Sequence, residues 1–258
     1  MTVREVYKEL EKRIPKQLSC PWDNDGLLLC PDGHRDVRRV LVTLDVTAGA
    51  AEYAIENGYD CIVSHHPFIF KGLKAIDDEG DVSSKAMRLI CKGISVMSFH
   101  TRLDAVAGGV NDRLCDLLGI SSAESFEEEG IPLGRVGELD SKMSAEEFAA
   151  LVKGALGAPF VLLSDAGVEV KRVAVLGGSG KDVIETARAT GADTFVSGRL
   201  DYHPMTDGAD RICSPMNLIE AGHFYTEQPV CEVLTKMIND IDGDIFCHVY
   251  SSNVIKAI

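Results

Sequence analysis

The chain has 258 residues, enough for one large α/β domain or two small ones, each with a proper hydrophobic core. Hydrophobic residues make up 45% and charged residues 26%, ordinary for a globular protein, and no segment approaches the roughly 20 uninterrupted apolar residues of a membrane-spanning helix. A net charge of −14, with only modest basic clusters such as Arg35 to Arg39, argues against nucleic acid and anionic membranes as partners.

The N-terminal stretch MTVREVYKELEKRIPKQ is charged and helical in pattern, without the apolar core of a signal peptide, so the expected compartment is the cytoplasm. Its helix reads from Val3 to Ile14 and ends before Pro15. A strand follows at Arg39–Asp45, and Thr47 caps a helix that runs to Ile55 and stops at Gly58. Next come the strand Asp60–Ser64, a helix opened by Ser83 and Ser84 and closed by Gly93, and a third strand at Ile94–Phe99. Val110–Leu118 is amphipathic and ends at Gly119. The acidic stretch Ser121–Gly130 reads as a linker or surface loop marking a domain boundary.

Beyond it, Ser144-Ala-Glu-Glu147 is a capping box for a helix to Leu156. Strands near Phe160–Ser164 and Arg172–Leu176, a turn at Gly177–Gly180, a helix to Thr190 and a strand at Asp193–Ser197 form the next block. A strand near Leu218–Ala221, a helix from Thr226 to about Ile238 and a strand at Asp244–Tyr250 close the chain. The alternation of β-branched runs with helical patterns predicts an α/β fold of two similar lobes with mostly parallel or mixed sheets flanked by helices. One lobe takes residues 1–125 with 215–258, the other 126–214.

The eight cysteines, Cys213 among them, are scattered without a CxxC pair, and several sit in apolar runs; neither a disulfide framework nor a cysteine-based zinc site is expected. Three segments carry the chemistry instead. CIVSHHPFIF runs a strand directly into His65 and His66, at the carboxyl end where open parallel sheets gather ligands. Taken alone, the pair reads equally well as two surface-loop histidines. FHTRLDAVAGGVND places His100 and Asp104 at the end of the next strand, a neighbour in a βαβ arrangement; an aspartate there is otherwise a turn residue. IEAGHFYTEQPV sets His223 four residues before Glu227, on one face if that stretch is helical; otherwise Glu227 is a first-turn acid favoured by the helix dipole. Three strand ends each delivering histidine or acid point together to a metal centre.

The segments SHHPFIF, FHTRLDAVAGGVND and GHFYTEQPV, with PWDNDGLLL and SGRLDYHPMTDGAD, resemble in order the signature stretches of the GTP cyclohydrolase 1 type 2 homologues, also called Nif-three-like dinuclear metal-centre proteins. The resemblance spans nearly the whole chain at the length of the short form without a central inserted domain. It implies that His65, His66, Asp104, His223 and Glu227 hold two divalent ions, Glu227 bridging them, with His100 and His203 close by as proton-moving or substrate-facing groups. It implies a ring-shaped homohexamer too.

Arg102 departs from the family pattern, and its place between His100 and Asp104 suggests an influence on substrate charge. Imidazoles and carboxylates without thiolate suit zinc, iron, manganese, cobalt or nickel. The expected activity is dinuclear-metal-dependent hydrolysis of a small molecule such as a nucleotide, either ring opening of GTP with loss of formate or phosphoester hydrolysis. The alternative is a non-catalytic metal-binding regulator or metal-handling scaffold. VLGGSGKD lacks the first glycine of a Walker loop, and Asp182 stands where Ser or Thr would hold magnesium, so it reads as a tight turn with N–H groups open to an anion. Asp45 ends a strand and either lines the cleft or, as the reading favoured here, caps the following helix with Thr47; Trp22 reads as packing, His34 as solvated and His248 as an ordinary strand residue.

Overall fold

The computed structural model describes residues 1–209 and 214–256; Cys213 lies outside them. The chain forms two compact units, residues 1–103 with 230–256 and residues 104–229. The sequence had placed these boundaries at 125/126 and 214/215.

The first unit opens with α1 (Val3–Arg13), started by a Thr2–Glu5 capping box. β1 (Gly26–Leu29) and β2 (Arg39–Thr43) follow. Thr47 accepts a hydrogen bond from the Ala50 amide to begin α2 (Ala48–Glu56). β3 (Cys61–Ser64) and β4 (Ser95–Ser98) are buried at every position, which is why they read as unbroken apolar runs. Between them α3 (Asp81–Cys91) starts ahead of the expected serine pair: Gly80 is the cap residue, and the Ser83 hydroxyl donates to its carbonyl. The chain leaves this unit inside the five-residue helix α4 (Thr101–Ala105).

In the second unit α5 (Val110–Leu118) ends at Gly119 as the sequence required. The acidic stretch that reads as a linker is instead β5 (Ser121–Glu128), paired antiparallel with the long β6 (Ile131–Met143). Only Phe126 of β5 is buried, so no apolar alternation betrays it; the acids on this edge strand keep it from pairing with other chains. Gly134 lies opposite Phe126, and a side chain there would collide with the Phe126 ring. The Ser144 capping box starts α6 (Ala145–Leu156), followed by β7 (Leu162–Ser164). β8 (Val170–Ser179) continues through the glycines expected to form a turn. Then come α7 (Ile184–Ala189), β9 (Thr194–Arg199), α8 (Tyr202–Ala209), β10 (Asn217–Glu220) and α9 (His223–Glu227). The strand order β5-β6-β8-β9-β10-β7 keeps β8, β9 and β10 parallel in the middle of a mixed sheet. One apolar cluster centred on Phe148, Val173 and Ile219 and a second on Phe195, Ala174 and Leu218 cover its two faces.

The helix expected over Thr226–Ile238 is thus two: Pro229 separates α9 from α10 (Val230–Asn239), which belongs to the first unit with β11 (Phe246–Tyr250). There the order is β1-β4-β3-β2-β11, with β11, β2, β3 and β4 parallel and β1 antiparallel on the edge. His65 and His100 therefore follow adjacent parallel strands at their carboxyl ends. His248 lies in β11 with its ring 5.5 Å from that of Tyr53, and His34 is exposed.

Burial pushes the Cys115 thiol up to about 12, that of Cys247 to about 11, and that of Cys61 strongly upward. Among the described residues no helix is long and apolar enough to cross a membrane.

Candidate metal centre

In the first unit the sheet brings His65, His66 and His100 together. One ring nitrogen of each lies within 4.8 Å of the others. Their ring centroids are 5.0 to 5.6 Å apart. His65 is fully buried and its Nδ1 lies 2.9 Å from the Phe99 carbonyl oxygen. A carbonyl only accepts, so Nδ1 carries the proton, and in the neutral form of the ring the lone pair lies on Nε2. His66 Nδ1 donates to Asp45 Oδ1 at 2.8 Å, and His100 Nδ1 to Asp23 Oδ1 at 2.9 Å.

Three rings of one cluster thus share one arrangement: a backbone or carboxylate acceptor behind Nδ1 and Nε2 left as the donor atom. This is the arrangement that orients histidines to bind a cation. Burial pushes the Asp23 carboxyl up, but the hydrogen bond and charge of His100 and the amide and hydroxyl of Thr101 outweigh it and hold the group at about 2. Asp23 is therefore a carboxylate at neutral pH.

Sequence reasoning gives Asp23 no role and leaves Asp45 between lining the cleft and capping a helix. Thr47 supplies the cap hydroxyl, and Asp45 turns to His66. Asp23 stood in a matched segment with no role attached; its only signal was an acid-rich Asp23-Asn24-Asp25 turn just before a strand. Arg102 is also corrected. It is fully buried, donates from Nε to Asp25 Oδ2 at 2.9 Å and from Nη1 to the Ile14 carbonyl at 3.1 Å, and lies over the Phe99 ring. It is a core residue with no surface to offer a substrate. Trp22 is not packing either, since 58% of it is exposed.

In the second unit Glu227 is buried in α9, and His223 Nε2 lies 3.0 Å from its Oε2, so the i, i+4 spacing does fall on one helical face. A carboxylate oxygen of Asp104, also buried, lies within 4.8 Å of one from Glu227. Two buried carboxylates this close repel, and positive charge or a shared proton stabilises them. Asn111 holds the surroundings: its Nδ2 donates to the carbonyls of Asp104 and Leu133, and its Oδ1 accepts from the Gly177 amide. Thr226 Oγ1 accepts from the Gly178 amide. Of the glycine N–H groups expected to face an anion, those of Gly177 and Gly178 are therefore occupied by side chains, and that of Gly180 by the Arg199 carbonyl. Gly178, at φ 69°, passes so close to Glu227 that a methyl group would strike its carboxylate. His203 sits exposed on α8 beside Lys181 and Asp182, and among the described residues it joins no group able to hold a metal.

Fold and side chains together define an α/β protein with histidine and carboxylate groups able to bind a metal at strand carboxyl ends. The family model described as Duf34/NIF3 (NGG1p interacting factor 3) matches residues 1–256, and the chain belongs to that family. A Clostridium perfringens protein named GTP cyclohydrolase 1 type 2 homolog is 30% identical over 95% of this chain and 94% of its own length. The Schizosaccharomyces pombe Protein NIF3 homolog is 32% identical over 86% and 84%. Among solved structures, Staphylococcus aureus protein SA1388 superposes with a TM-score of 0.89 at 27% identity, over 100% of this chain and 99% of that one. A Bacillus cereus protein related to NIF3 shares the fold, with a TM-score of 0.88 at 22% identity over 100% and 99%.

Proposed function

We propose that the chain is a metal-dependent hydrolase in which His65, His66, Asp104, His223 and Glu227 hold two divalent ions, with Glu227 bridging them. The observation that carries this reading is the shared state of His65 and His66, each with Nδ1 anchored by an acceptor and Nε2 kept as donor. The buried Asp104 and Glu227 carboxylates supply the charge that such ions require. When bound, two such ions would polarise the group under attack and acidify a water.

The chain's own part is to place donors and move a proton. His100 takes the proton at Nε2, and the Asp23 carboxylate behind Nδ1 stabilises the imidazolium that results. His203, exposed on α8, is assigned to the substrate side. The names borne by relatives favour opening of the guanine ring of GTP with release of formate; the same donors also suit phosphoester hydrolysis. Family resemblance further supports a hexameric ring, which sedimentation of the purified protein tests.

The decisive experiment measures metal content in the protein as purified, then formate release from GTP and turnover of a phosphoester panel with zinc, iron, manganese, cobalt and nickel in turn. The expected result is about two ions per chain by the proposed ligand count and turnover with at least one metal. Full occupancy without turnover of either class would overturn the hydrolase reading and leave a metal-binding scaffold.

A further inference from the structure

Trp22 is 58% exposed and Phe70 47% exposed, in adjacent loops. They are not scattered. Their centroids lie 6.3 Å apart at 75°, and each meets the His100 ring nearly edge-on, at 6.2 Å for Trp22 and 6.3 Å for Phe70. The Asn24 side-chain amide donates to the Ile69 carbonyl at 2.5 Å and ties the two loops together. His100 is itself fixed from behind by Asp23. The result is a held aromatic corner opening to solvent at the edge of the histidine cluster. Exposed apolar groups gathered in this way mark a binding surface.

The geometry points to a stacking site for a planar heterocycle of nucleobase type, lying flat on one of the Trp22 and Phe70 rings and meeting the other edge-on, beside the His100 ring. Aromatic side chains reward a flat π-system above any aliphatic group of similar size, and stacking tolerates changes in ring substituents. Lys71 and Lys74, both exposed within four residues of Phe70, supply positive charge for a phosphate tail in a chain of net charge −14. A protein partner would need on the order of 800 Å² of surface on each side, whereas a two-ring corner has the size of one base. The inference assigns residues to bind the base of the substrate proposed above and so rests on that reading, but it concerns binding, which is read separately from turnover.

Trp22 is the sole tryptophan of the chain, so its fluorescence reports on this corner alone. The protein is titrated with guanosine, GTP, ribose 5-phosphate and inorganic triphosphate, exciting at the red edge to avoid base absorption. Saturable quenching by guanosine and GTP, and none by ribose 5-phosphate or triphosphate, is expected. F70A should weaken guanosine binding about tenfold, the middle of the range for one stacked base, with metal content unchanged. By equilibrium dialysis W22A should lose as much and W22F should regain most of it. Absence of quenching by either purine compound, or equal quenching by ribose 5-phosphate, overturns the inference. So does a W22A protein that binds guanosine normally but changes its sedimentation, since the corner would then be an assembly surface. Turnover that fails while quenching persists would overturn only the hydrolase reading.

Discussion

Asp23 Oδ1 lies 2.9 Å from His100 Nδ1, while Asp23 Oδ2 takes both the amide and the hydroxyl of Thr101. One carboxylate thus fixes the first turn after β4 and the protonation pattern of the histidine that follows the strand. The same role falls to Asp45 behind His66 and to a backbone carbonyl behind His65. The histidines are oriented by three different devices, and only two of these can be removed by substitution.

D45N keeps the shape but replaces the acceptor-only group behind His66, a proposed ligand, by one that can present an N–H to its Nδ1. Replacing a partner behind a metal-binding imidazole typically lowers metal affinity about 10- to 100-fold. We expect a loss in that range for D45N, measured by competition with a chromophoric chelator, with far-UV circular dichroism unchanged. Wild-type affinity in D45N would show that the His66 ring plays no part in binding the ions.

Arg102 makes a separate prediction about stability. Its guanidinium and the Asp25 side chain are both fully buried and paired at 2.9 Å, and Lys16 also reaches Asp25 at 2.5 Å. Removing one partner of a buried pair usually costs about 3–5 kcal/mol, because the other charge stays buried. With Lys16 left in place, R102M should lose about 3 kcal/mol in urea denaturation, and adding D25N should recover part of it. A loss below about 1 kcal/mol would mean that Lys16 alone satisfies the carboxylate.

Asp23 and Arg102 also show what the sequence could and could not reveal. The parallel core strands were legible because burial on both faces writes them as apolar runs, and helix ends were legible where Thr47, Ser144 and Gly119 carry local chemistry. β5 was illegible because pairing with β6, not its own side chains, makes it a strand. The histidines and acids of the candidate site could be named from strand ends. Their supports could not: Asp23 and Asn111 act through partners 77 and 66 residues away, a separation that no local pattern encodes. Arg102 was misjudged for the same reason, since its acid partner Asp25 lies 77 residues upstream.

The capping box of α6 carries a pH signature. The Ser144 amide and hydroxyl hold the Glu147 carboxyl below its ordinary value of 4.5. A depressed folded-state pKa means stability that is fully present above pH 4.5 and is lost as pH falls through the lower folded-state value. Wild type and E147Q should therefore differ in Tm at neutral pH and converge at the acid end, as thermal melts across that window will show. S144A removes the cap itself and should cost about 1 kcal/mol. A Tm difference between wild type and E147Q that stays constant with pH would remove Glu147 ionisation from the account.

Gly178 offers a way to move a proposed metal ligand without mutating it. At φ 69°, alanine there is strained by about 1–2 kcal/mol, and its methyl group would meet the Glu227 carboxylate. The carboxylate is the end of a flexible side chain, while the amide of Gly178 is held by Thr226 Oγ1, so the side chain is what gives way. Gly191 provides the control: it has φ 79° and nothing within 4 Å of an added methyl. G178A and G191A should lose similar stability from the backbone, but only G178A should lose metal, shedding at least one of the two proposed ions on dialysis. If both variants keep the wild-type metal content, Glu227 does not hold an ion from where it stands, and the bridging assignment falls while the histidine cluster remains.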